Sequence, residues 1–177
     1  MGGSERLRLF LALRLPDDVL DEIEGWQAAQ LPRDVRAVAR ENLHVTLAFL
    51  GSRPADEVDA IAGALRDAAA DAGDIRLRPV RYRETRKVGM LVLDDARHNA
   101  EALAGDVQER LERLGVYRRE ARPWLPHLTV ARWRERPYLL PEPPPDRTFV
   151  PSDAAAYVSR LHAAGARYAV LKSFDLA

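Results

Sequence analysis

Apolar and polar positions alternate along this chain with two periods, near two and near 3.6, and the switches between them predict its elements. Residues 6–15 alternate loosely and predict a strand. Pro16-Asp17-Asp18 opens a helix with acidic residues at its positive end, and Val19, Leu20, Ile23, Trp26 and Ala29 keep helical spacing to about residue 30. Residues 43–50 read as a strand ended by Gly51. Residues 54–72 read as an amphipathic helix, with Val58, Ile61, Ala62, Leu65 and Ala69 on one face and Gly73 as its stop. Residues 75–82 and 88–93 predict two strands joined by a charged turn. A third helix over 99–114 carries Leu103, Val107, Leu111 and Leu114 and is capped by Gly115. Residues 125–133 form another strand, the proline-rich stretch 137–151 is loop, and residues 156–161 and 167–176 pair as a hairpin turning at Ala164-Gly165.

Two of these strands carry the same four-residue signature. His44-Val-Thr46-Leu and His127-Leu-Thr129-Val stand 83 residues apart, and they use two of the four histidines in the chain. Because side chains on a strand alternate faces, His44, Thr46 and Ala48 share one face while Leu43, Val45, Leu47 and Phe49 share the other. The second strand repeats this, with His127, Thr129 and Ala131 opposite Leu128 and Val130. The apolar faces pack against helices. The other faces present an imidazole, a hydroxyl and a small residue, which leaves room for a ligand. Each signature follows a helix, so the chain reads as two related lobes facing each other.

Composition narrows the chemistry. The 177 residues suffice for one domain with its own core, and residues 1–177 are assigned to one bilobal unit with motif blocks at 42–51 and 122–133. There are no cysteines, which excludes disulfides and thiolate metal sites. The apolar run at 9–13 is short and bracketed by Arg8 and Arg14, so a buried strand is expected there rather than a signal sequence. No stretch approaches the roughly 20 apolar residues of a membrane span, and a soluble, cytoplasmic, monomeric chain without membrane contact is expected. Formal net charge is zero, which disfavours a broad grip on long nucleic acid and favours contact at one phosphate or a chain end. Basic residues are nearly all arginine, the better fork for phosphate; only Lys87 and Lys172 are lysine.

Two imidazoles facing one reacting centre can act as base and acid near neutral pH, and threonine hydroxyls can donate to anionic oxygens. A phosphodiester uses all of these groups: attack in line, protonation of the leaving oxygen, and donors for the non-bridging oxygens. There is no glycine-rich phosphate loop, so ATP use is not implied. His98, in a polar turn, and His162, in the closing hairpin, lack a threonine two residues on. His98 is expected to be solvated, and His162 to lie near the cleft at most.

These motif blocks, "ENLHVTLAFLG" and "RPWLPHLTVAR", resemble the two-histidine (2H) phosphoesterase superfamily, and within it the RNA 2′,3′-cyclic phosphodiesterases, also called 2′-5′ RNA ligases. The opening "RLFLALRLP" and the closing "YVSRLHAAGARYAVLKSFDL" are similar to the family's first strand and last hairpin, so the resemblance spans nearly the whole chain. It implies an α+β fold of two pseudo-symmetric lobes, each an antiparallel sheet backed by helices, around a central cleft. It implies metal- and ATP-independent opening of a 2′,3′-cyclic phosphate to a 2′-phosphate at an RNA end, without cofactor, and in some members joining or splitting of 2′-5′ linkages. It assigns acid and base to His44 and His127, with His127 favoured for activating water, and phosphate contacts to Thr46 and Thr129. Arg132 ends the second block, where the family also carries arginine, and is expected to bind phosphate or RNA. By parity it lies on the wrong face, so a bulge or the strand's end must turn it inward. Phe49, its counterpart in the first block, stands either in the core or against a base.

Three other readings fit the same residues: a two-histidine metal centre, for which no carboxylate stands at ligand spacing; a nucleotide- or RNA-end-binding module without turnover; and a 2H enzyme acting on another cyclic phosphate or a 2′-5′ oligonucleotide.

Overall fold

The computed structural model describes residues 3–177; Met1 and Gly2, the first two residues of the assigned unit, lie outside them. Eight strands and three α-helices follow in the order β1 (Arg6–Arg14), α1 (Asp17–Gln30), β2 (Arg36–Ala37), β3 (Val45–Pro54), α2 (Val58–Ala70), β4 (Arg78–Glu84), β5 (Val88–Asp94), α3 (Asn99–Arg113), β6 (His127–Arg132), β7 (Asp153–His162) and β8 (Gly165–Phe174) among the described residues. They build two four-stranded antiparallel sheets, ordered β3-β1-β7-β8 and β2-β6-β5-β4. This is the expected α+β arrangement, one sheet carrying each motif.

Several boundaries differ from the expected ones by a few residues. β3 continues through Gly51 to Pro54, because Gly51 takes a left-handed conformation (φ 69°) inside the strand instead of ending it. The second helix starts with a 3-10 turn at Ala55–Glu57 and becomes α-helical only at Val58. Ile75 and Leu77 precede β4; both are buried in the core, and Leu77 exchanges backbone hydrogen bonds with Phe149 of the proline-rich loop. The short β2 has no apolar pattern and was not expected. It exists because it completes the edge of the second sheet against β6.

One apolar cluster fills the space between the sheets and their helices. Leu11, Leu13, Val45 and Leu47 of the first sheet meet Leu91 and Leu128 of the second, with Ile23, Ile61, Leu65 and Leu111 from the helices, all at most 1% exposed. Each such side chain contributes about 1.5–3 kcal/mol by leaving water. A second, smaller cluster of Phe10, Ala12, Ala155 and Tyr157 covers the opposite, concave face of the first sheet, where His44 lies.

Candidate active site

Both motif strands break register at the same place. Against β1, Thr46 pairs with Ala12 and Ala48 with Leu11, so Leu47 is an extra residue. Against β5, Thr129 pairs with Met90 and Ala131 with Gly89, so Val130 is the extra one. Each bulge reverses the alternation beyond it. Ala48 and Ala131, expected beside the histidines, are therefore buried, Ala131 outside the cleft walls and Ala48 at the edge of the hollow that His127 lines. Phe49, expected on the core side with Leu43, Val45 and Leu47, is instead 49% exposed on the cleft wall. Arg132 comes round to the cleft, turned inward by the bulge at Val130. The 83-residue interval separating the histidines also separates Phe49 from Arg132, so the two lobes offer an aromatic ring and a guanidinium at equivalent places.

A buried glutamine holds each bulge. Gln108 of α3 donates to Leu47 O at 2.9 Å, and Gln27 of α1 donates to Val130 O at 2.9 Å and to Val38 O at 3.0 Å. The helices cross over: α1, which precedes the first motif, supports the second, and α3 supports the first. Nothing in the periodicity singled out these glutamines. Their only sequence signal is a polar residue at a helix position flanked by the apolar stripe. Val130 O also accepts from Val38 N–H at 3.0 Å, so replacing Gln27 by leucine removes one of its two donors together with the bond to half-buried Val38 O, at roughly 1–3 kcal/mol in all. Thermal melts should show Gln27→Leu and Gln108→Leu each lowering Tm by several degrees.

The histidines are seated alike. His44 Nδ1 lies 2.8 Å from Asn42 O, and His127 Nδ1 lies 2.7 Å from Leu125 O, the carbonyl two residues back in each case. A carbonyl only accepts, so each Nδ1 carries the proton and donates it, which leaves Nε2 as the basic nitrogen. His44 Nε2 meets Thr46 Oγ1 at 2.9 Å. The His44 ring is walled by Phe10 (4.8 Å between centroids), Tyr168 (5.6 Å) and Tyr157 (5.9 Å). Burial among these rings, with lesser contributions from the positive fields of Arg132 and His127, pushes the His44 pKa down to about 4, against the hydrogen bond to Asn42 O. His44 is therefore neutral at pH 7 in the unliganded protein, and close enough to His127 and Arg132 to feel their charge.

Two adjoining hollows form the cleft and share Thr46 and Phe49. One, about 690 Å3, is lined by His127, Met90, Tyr117, Trp124 and the paired Glu120 and Arg122. The other, about 820 Å3, is lined by His44, Thr129, Arg132, Arg8, Arg36 and Tyr168. Trp124 joins the two motif regions: it stands three residues before His127 and its indole N–H donates to Thr46 O at 3.0 Å. His98 and His162 are both exposed and stand outside these walls, His98 against Glu101 at 3.2 Å. Among the described residues, no three His, Asp or Glu side chains gather at metal-ligand distance. No helix is long and apolar enough to cross a membrane.

The sequence profile described as the 2′-5′ RNA ligase superfamily matches residues 15–163. An Escherichia coli K12 protein named RNA 2′,3′-cyclic phosphodiesterase is 30% identical over 183 aligned residues, covering 98% of each chain. A Methanocaldococcus jannaschii protein of the same name is 27% identical over 127 residues, 71% of each. Among solved structures, E. coli LigT complexed with 3′-AMP superposes with a TM-score of 0.85 at 27% identity, covering 97% of this chain and 99% of that one. A Thermus thermophilus protein superposes at 0.83 with 26% identity, covering 96% and 98%.

Proposed function

This chain belongs to the 2′-5′ RNA ligase superfamily, and from that premise we propose that it opens RNA 2′,3′-cyclic phosphates to 2′-phosphates by proton transfer through His44 and His127. It is an RNA 2′,3′-cyclic phosphodiesterase, a hydrolase. The observation that carries the reading is the matched seating of the two imidazoles, each with Nδ1–H on a backbone carbonyl and Nε2 left to exchange a proton. Solved complexes of E. coli LigT with 3′-AMP and with phosphate support a nucleotide phosphate as the ligand.

In this scheme His127 Nε2 draws a proton from water as the oxygen attacks phosphorus. The bond from phosphorus to O3′ breaks, and His44 Nε2–H gives its proton to that oxygen. The products are a 3′-hydroxyl and a 2′-phosphate. His44 must gain its proton first. An arriving phosphate anion offsets the field of Arg132 and gives the charged ring a partner, which favours protonation. An imidazolium that holds its proton weakly then gives it up readily. Thr46 and Thr129 donate to the non-bridging oxygens, and Arg132 balances their charge. Neither metal nor ATP enters the scheme, and turnover should persist in strong chelator. Incubation of the purified protein with 2′,3′-cyclic nucleotides, followed by phosphorus NMR, tests the reading. A 2′-phosphate is expected, and an unchanged cyclic phosphate would mean a binding module.

Phe49 stacks the base of the terminal nucleotide. Stacking of a base on an aromatic ring is worth about 1–3 kcal/mol. Phe49→Ala should therefore raise KM roughly tenfold and leave kcat within a few-fold. An unchanged KM for purine and pyrimidine substrates alike would remove Phe49 from the site.

A further inference from the structure

The second hollow carries more positive charge than one phosphate requires. In the β2–β6 ladder Arg36 pairs directly with Arg132. Cross-strand partners share a face, so two positively charged side chains leave the sheet from adjacent positions, an arrangement that costs stability unless an anion lies near them. Arg8, from β1, lines the same hollow with its guanidinium over the Phe49 ring at 5.0 Å. None of the three has a carboxylate partner among the described residues, and Glu41 is the one acidic residue on this wall. Several arginines elsewhere are neutralised, as Arg40 is by Asp21 and Glu24, and Arg147 by Asp18 and Glu22, whereas this hollow gathers arginines without such partners, Arg167 among them. Arg36 also donates to Ala164 O at the tip of the β7–β8 hairpin, so it stands where the two sheets meet at the mouth of the hollow.

We infer that Arg36 and Arg8 form a second phosphate subsite, which takes the phosphodiester one nucleotide before the reacting end, so that the enzyme prefers an oligonucleotide over a mononucleotide. The inference rests on the phosphodiesterase reading. In a 2′,3′-cyclic end both O2′ and O3′ are bonded to the reacting phosphorus, so the RNA continues only through O5′. With Arg132 at the reacting phosphate, the next anion the substrate can offer is the 5′ phosphodiester, and Arg36 is the cross-strand neighbour of Arg132 on the wall of the same hollow. The other hollow, with Trp124, Tyr117 and an arginine already paired to Glu120, suits the terminal base and not a second phosphate.

The test compares kcat/KM for three substrates at low salt: a mononucleoside 2′,3′-cyclic phosphate, a dinucleotide with the same cyclic end, and that dinucleotide with a neutral methylphosphonate in place of its internal phosphodiester. The dinucleotide should exceed the mononucleotide by at least about tenfold, the worth of one charge-assisted hydrogen bond to phosphate. The methylphosphonate should lose that gain. Arg36→Gln and Arg8→Gln should each pull the dinucleotide-to-mononucleotide ratio towards one, and Arg36→Lys should restore part of it. Equal turnover of mono- and dinucleotide by the wild-type protein, an undiminished methylphosphonate, or a ratio that survives both glutamine variants would overturn the subsite. Failure to open any of the three would instead overturn the phosphodiesterase reading, so the two outcomes are distinct.

Discussion

His127→Ala and His44→Ala each lower kcat/KM on a 2′,3′-cyclic nucleotide by about a thousandfold, within the range of about 10²–10⁴ that positioned general acids and bases supply. Both variants remain folded, because each ring lies at the cleft wall and its Nδ1–H bonds only to a nearby carbonyl. The roles separate with a substrate whose 3′ bridging oxygen is replaced by sulfur. A thiolate leaves without protonation, so this substrate recovers most of the activity of His44→Ala and little of that of His127→Ala. Recovery in His127→Ala alone would exchange the acid and the base. Wild-type rates in either variant on the natural substrate would remove that histidine from the chemistry.

Acid stability is the second large effect. In the unfolded chain His44 holds its proton up to about its ordinary value of 6.5, whereas in the folded protein burial among Phe10, Tyr157 and Tyr168 restricts this to about 4. Between those pH values unfolding takes up a proton. The folded state therefore loses stability as pH falls through that window, and this loss levels off below about 4. At about 1.4 kcal/mol per pH unit it amounts to roughly 3 kcal/mol. Carboxylates such as Asp18 and Glu57, held below their usual range mainly by hydrogen bonds from Arg147 and Arg53, also destabilise the protein at low pH. They act equally in a variant with His44→Gln, so the difference between the two proteins isolates the histidine. Urea melts at pH 7 and pH 4 should show that difference changing by roughly 3 kcal/mol, with the wild-type protein the more acid-sensitive. A difference independent of pH would mean that His44 titrates normally. Inorganic phosphate in the cleft should raise the His44 pKa, visible in its ring NMR signals.

Much of this was legible in the chain because it depends on local rules. Alternation marked β1, β5, β6 and the β7–β8 hairpin, and helical spacing marked α1, α2 and α3 to within a few residues. Parity placed His44 with Thr46 and His127 with Thr129, since no register break falls between the members of either pair. β2 escaped notice because two residues carry no period, and its strand character comes entirely from the edge of β6.

What the amino-acid sequence determined by itself was the pair of His-x-Thr strands, the apolar faces behind them and the resemblance those blocks carry. Tertiary structure decided which residues join them in the cleft. The bulges at Leu47 and Val130 reverse the faces beyond them, so Ala131 leaves and Ala48 sinks to the cleft's edge while Phe49 and Arg132 enter. Those bulges are held by Gln108 and Gln27, each reaching from a helix far away in sequence to the backbone carbonyl of the extra residue. Periodicity describes a strand as if it ran straight. An extra residue in a strand is stable only where a distant partner satisfies its backbone, and that partner is chosen by how the helices pack.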